Sequence, residues 1–192
     1  MGMKYVLISL CAALAAGCGA FEKLTGGGKD DDSVGAVAEL QDADGSFVGV
    51  AFFSEDEAGG TRIALRLRGL KPGDYAVHIH EFAAAPGDFE SAGSHFNPFG
   101  REHGLLNPKG PHAGDLPNIA VGENGSYEGT ISAPLVTLGS GANSLFKSGG
   151  TSLVIQGAAD DGKSLKPGDR VACGPIRKSD AASYDSYRKA KS

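Results

Sequence analysis

Apolar and polar residues alternate in short runs along most of this chain. The clearest run is Thr61–Arg68, TRIALRLR. Ile63, Leu65 and Leu67 fall on one face, and Arg62, Ala64, Arg66 and Arg68 on the other. Successive strand side chains point to opposite faces, so a period of two predicts a half-buried β-strand. Comparable runs predict strands over Val34–Leu40, Ser46–Glu55, Tyr75–His80, Ile119–Val121, Ser126–Ser132, Thr151–Gln156 and Arg170–Ile176. LKPGDY and GENG supply turns between them. This many short strands without a helical period predict an all-β fold, an antiparallel sandwich or barrel. No internal repeat is evident.

Residues 81–118 break the pattern. They are rich in Gly, Pro, Ala, His and Asn and show little periodicity. A loop this long in a compact domain usually carries function.

The N-terminus reads as a targeting segment. Lys4 precedes an apolar run, Tyr5–Ala16, that is too short to span a bilayer comfortably. LAAGC (Leu14–Cys18) follows and resembles a bacterial lipoprotein signal, although Ala15 stands where Leu is favoured. That resemblance implies removal of residues 1–17 and lipidation of Cys18. Cys11 is the poorer candidate, because large Leu10 precedes it. Ordinary cleavage near Ala16, with release of the chain, is the alternative. The expected location is the bacterial cell envelope, lipid-anchored on the periplasmic side or the outer surface. Residues 18–33, with a Gly run and an acidic run, read as a flexible tether. Residues 177–192 carry five basic and two acidic residues and read as a solvated tail able to touch anionic membrane. The domain itself then occupies 34–176.

Of 192 residues, 41% are hydrophobic and 21% charged, which fits one soluble globular domain with tails. A net charge of −5 argues against a nucleic-acid partner. With Cys18 lipidated, Cys173 has no partner in an oxidising compartment; RVACGPI also reads as a core strand holding a buried thiol.

The chemistry lies in the histidines. All five (His78, His80, His95, His103 and His112) fall in one strand and the loop that follows. His78 and His80 share a strand face. Asp115 stands three residues after His112. Three histidines and an aspartate form a closed tetrahedral set suited to structural Zn²⁺. An isolated loop histidine is ordinarily just polar surface, but five gathered this way are not.

HIHEF, SAGSHFNPFGREHG, HAGDLPN, SLVIQGAADDG and RVACGPI, in that order, resemble the copper/zinc superoxide dismutase family across residues 34–176. The resemblance implies an eight-stranded Greek-key β-barrel of the immunoglobulin-like sandwich class with a long metal-binding loop. It implies superoxide as substrate and Zn²⁺ and Cu²⁺/Cu⁺ as cofactors. By the same likeness His78, His80 and His95 are copper ligands, with His95 bridging to zinc. His95, His103, His112 and Asp115 are the zinc ligands. Asp160 is an outer carboxylate orienting His78 and His103. Arg170 guides the anion and, with His95, is catalytic. The likeness leaves the oligomeric state open.

Three departures from that pattern are visible. Gln156 stands at the fourth copper ligand, and no histidine is left to replace it. Phe89 aligns with the first disulfide cysteine, leaving its counterpart Cys173 alone, and can pack apolar surface against the barrel instead. The segment Asp161–Arg170 is shorter than the family's electrostatic loop but contains Lys163, Lys166 and Asp169, so some charge guidance remains. Three readings therefore compete: a surface or periplasmic superoxide dismutase, a non-catalytic zinc or copper binding lipoprotein on the same scaffold, and a structural or interaction module in which even zinc is dispensable.

Overall fold

Among the described residues, nine strands run in chain order: β1 (Val34–Gln41), β2 (Phe47–Glu55), β3 (Thr61–Leu67), β4 (Gly73–His80), β5 (Ile119–Val121), β6 (Tyr127–Ala133), β7 (Ser152–Gln156), β8 (Arg170–Pro175) and β9 (Arg177–Lys178). The computed structural model describes residues 34–165 and 168–179. These all belong to one compact unit, Asp31–Ser192. The targeting segment, the tether with Cys18, Lys166 and residues 180–192 lie outside the described residues.

Eight strands pair antiparallel in the order β5-β4-β7-β8-β1-β2-β3-β6. The two ends of that path are joined by the Gly122–Ser126 turn, closed by Gly122 N–H donating to Ser126 O (3.1 Å). The chain crosses the barrel between β3 and β4 and again between β6 and β7, which gives the Greek-key order. Strand alternation fills the interior. On β3, Thr61, Ile63, Leu65 and Leu67 are buried, and Arg62 and Ala64 are exposed. Ala36, Leu40, Phe53, Ile79, Leu153 and Ile155 are fully buried in the same core. β7 is buried on both faces, because the long loop covers its outer side.

The expected strands form, with ends shifted by one or two residues. Two elements differ from the sequence reading. Phe89–Ala92 is a short 3-10 helix inside the long loop, capped by the Asp88 side chain, which accepts from Ser91 N–H. Arg177 and Lys178, read as the start of a solvated tail, form β9 and pair with Val37 and Ala36 of β1. Both side chains are exposed, with the Lys178 ammonium over the Phe146 ring, and no apolar alternation marks the strand.

The long loop is ordered by backbone bonds to β4. Ile79 N–H donates to Gly114 O (2.9 Å), Phe96 N–H to Ile79 O (2.8 Å) and Gly114 N–H to Phe96 O (2.9 Å). A Cβ on Gly114 would lie 2.2 Å from Ile79 O, so only glycine admits this approach. Two loop segments are thereby laid beside β4, and the histidines of strand and loop meet.

Candidate metal centre

On β4, His78 and His80 are buried and face the long loop. His95 and Asp115 arrive through isolated bridges, His80 with His95 and His78 with Asp115. Three sets of potential ligands result, each with its ligating atoms within 4.8 Å of one another: His95, His103, His112 and Asp115; His78, His80 and His95; and His78, His103 and Asp160. His95 belongs to the first two. Its ring stacks on His78 with centroids 4.0 Å apart.

Asp115 is the centre of the first set. Its Oδ1 lies 2.9 Å from His95 Nδ1, 3.1 Å from His103 Nδ1 and 3.3 Å from His112 Nδ1. Its Oδ2 accepts Gly104 N–H (2.8 Å) and His112 N–H (3.0 Å). Burial works to raise the Asp115 carboxyl. The bonds from His95 and Gly104 and the neighbouring histidines prevail and hold it well below the usual carboxylate range.

Asp160 Oδ2 lies 2.9 Å from both His78 Nε2 and His103 Nε2, while Oδ1 accepts Gly162 N–H (2.7 Å). The carboxylate takes an N–H from each ring, which leaves Nδ1 of both as lone pairs. His103 Nδ1 then faces Asp115 Oδ1, and His78 Nδ1 faces Gln156 Oε1 at 2.5 Å. Lone pairs aimed at oxygen are repulsive unless a cation lies among them. On β4, His80 donates Nδ1–H to Gly93 O (2.9 Å), and its Nε2 is buried without a partner. His112 Nδ1 is also buried without a well-aligned hydrogen bond, 3.3 Å from Asp115 Oδ1. Burial lowers His78 to about 4 and His80 to about 3, so both rings are neutral, the state that ligates metal. The donor chemistry fits two cations: three imidazoles with a carboxylate, and three imidazoles with an amide oxygen.

A cavity of about 760 Å³ opens above this centre, bordered by His80, His95, His112, Gln156, Lys147 and Arg170. Arg170 pairs with Gln156 in the register of β7 and β8. Its guanidinium donates to Phe89 O and to Gly93 O (2.7 Å), the carbonyl that also orients His80.

With that geometry in place, the comparisons with known proteins decide the family. The family model for copper/zinc superoxide dismutase matches residues 47–176. The chain belongs to the copper/zinc superoxide dismutase family. It is 48% identical over 148 residues to "Superoxide dismutase [Cu-Zn] 2" of Aquifex aeolicus, covering 74% of this chain and 86% of that protein. It is 35% identical over 153 residues to "Superoxide dismutase-like protein YojM" of Bacillus subtilis, covering 77% and 78%. Among solved structures, a SOD-like protein from Bacillus subtilis matches with a TM-score of 0.69 at 34% identity, covering 72% of this chain and 96% of that one. Copper and zinc are this family's metals, and the histidine clusters supply groups able to bind them.

The departures from the family pattern can now be placed. Gln156 ends β7 fully buried, its amide among the histidines. Phe89 packs with Ala84 against a small cluster of Ala92, Val154 and Cys173, the apolar contact expected of it. The Cys173 thiol is free, buried, and pushed up to about 11 by that burial, which makes it a poor nucleophile. Of the expected loop charges, Asp169 borders the channel and Lys163 does not.

Sequence reasoning missed three positioning groups. Asn118 brackets Asp160, donating Nδ2–H to its carbonyl (2.8 Å) and accepting its N–H (3.0 Å). The Gly93 carbonyl joins His80 to Arg170, and a backbone atom leaves no mark on a sequence. Lys147 reaches the channel from the connection between β6 and β7.

Proposed function

We propose that this chain is a superoxide dismutase of the bacterial cell envelope, lipid-anchored through Cys18, converting superoxide to oxygen and hydrogen peroxide. One observation carries the reading: the buried, unpartnered Nε2 of His80 lies in one group with His78 and His95, with Arg170 fixed beside it through Gly93. In this reading His95, His103, His112 and Asp115 hold zinc, and His78, His80 and His95 hold copper, with Gln156 at the fourth position.

Bound copper supplies one-electron chemistry, by which one superoxide is oxidised to oxygen and a second is reduced and takes two protons to become peroxide. The residues do the rest. Gly93 and Asp160 fix the two β4 rings so that the free lone pairs of His80 Nε2 and His78 Nδ1 face the site. Arg170 presents a cation whose geometry two carbonyls set in advance, which attracts a small anion into the channel. His95, common to both groups, is placed to hold a proton for the peroxide. The short apolar run and LAAGC support the anchor and the envelope location.

Gln156 favours a second reading, a non-catalytic zinc or copper binding lipoprotein. An amide oxygen is a harder and weaker donor to copper than imidazole. Metal content and dismutation rate measured on one copper-loaded sample, with Gln156→His beside it, separate the two. Full copper occupancy with rapid turnover supports the enzyme. Zinc near one per chain with negligible copper and no turnover supports the binding protein.

A further inference from the structure

We propose that Lys147 is a steering residue for the anionic substrate, taking over the guidance that a longer electrostatic loop would give. This rests on the dismutase reading above. Of the charged side chains that border the channel among the described residues, Glu81, Glu90 and Asp169 repel an anion, and Arg170 and Lys147 attract one. Arg170 is partly committed, with Glu90 Oε1 lying 3.7 Å from its Nε. Lys147 enters no ion pair among the described residues.

Its position is built rather than incidental. Gly150 N–H donates to Lys147 O (2.9 Å), closing a turn over residues 147–150. Ala83 N–H donates to Gly149 O (2.8 Å), which fastens that turn to the chain leaving β4. Gly149 has φ +83°, and a Cβ there would sit 3.2 Å from the Phe82 ring. Glycine therefore lets the ring lie against the turn. The Lys147 ammonium then sits over that ring, 4.8 Å from its centroid, and donates to Ser148 O (3.2 Å). An aromatic face holds a cation without neutralising it, which a carboxylate would do. The result is a half-buried positive charge on the channel wall, placed by Phe82 and Ala83 after β4 and by the β6–β7 connection.

The test uses copper-loaded full-length protein with Lys147→Gln, Lys147→Arg and, as control, Lys163→Gln. Lys147→Gln is expected to lower kcat/KM about two- to three-fold at low ionic strength, with the difference vanishing as salt screens the charge. Lys147→Arg keeps the wild-type salt dependence, and Lys163→Gln leaves it unchanged. A second readout is the affinity for azide, a small anionic probe, followed by visible absorption; Lys147→Gln weakens it about two-fold. Unchanged salt dependence and azide affinity in Lys147→Gln overturn the proposal. Copper-loaded wild-type protein without dismutation, but with azide affinity that responds to Lys147, overturns the dismutase reading alone. A chain that takes up no copper overturns both.

Discussion

The side chains of His78 and Gln156 meet 2.5 Å apart, imidazole Nδ1 against amide oxygen, both buried, with Gln156 at the floor of the channel. Asp160 already takes the other ring proton, so a neutral ring has none left for the amide. Either a cation lies between them, or the amide turns and donates its N–H to Nδ1.

Gln156→His follows directly as a test of this position. It adds a fourth imidazole of similar size at the end of β7. Copper affinity measured by chelator competition should rise by about ten-fold or more, since imidazole suits copper better than an amide. Zinc affinity at the Asp115 set, measured without copper, should change little, because the side-chain hydrogen bond of Gln156 goes to His78, outside that set.

Asp160→Asn should disturb both sets together. The amide keeps the carboxylate's shape but cannot accept from two rings through one charged oxygen. Copper and zinc affinities should each fall about 10- to 100-fold, as read by competition titration. Asn118→Ala, which removes only the bracket on the Asp160 backbone, should produce a smaller loss of the same sign.

Phe89→Ala should destabilise the protein by about 1–2 kcal/mol in denaturant unfolding, less than a fully buried Phe because Phe89 is half-exposed. The same residue's carbonyl anchors Arg170. Loosening of the short helix should therefore also lower kcat/KM with little effect on metal content.

Metal-free protein should lose stability as pH falls from about 6.5 toward 4. Burial depresses His78 to about 4 and His80 to about 3, so between those values and 6.5 the unfolded chain binds protons that the folded chain refuses. Stability then rises with pH by up to about 1.4 kcal/mol per unit for each ring. Denaturant midpoints from pH 4 to 8 check this, and a flat profile would contradict the buried neutral state of both histidines.

The barrel was legible because its strands carry period-two alternation, nowhere more plainly than in Ile63, Leu65 and Leu67. β9 was not, since Arg177 and Lys178 are both exposed and show no apolar alternation. The histidine groups were legible from their clustering and from likeness to the family, and the structure brings the named residues together. The Phe89 contact with the Cys173 cluster was expected and is seen. What escaped was mediated by backbone or by unexpected loops. Gly93 acts through its carbonyl, and Lys147 depends on a glycine turn some 65 residues from the Phe82 ring that holds it.

Asp160 gives the two ligand groups a common mechanical member, and His95 gives them a second. Their affinities are therefore thermodynamically linked. Ordering His95 and His103 around one ion removes conformational freedom that the other ion would otherwise have to quench, and the favour is reciprocal by the same factor. The centre should fill cooperatively, so that half-loaded molecules are scarcer than independent filling would produce.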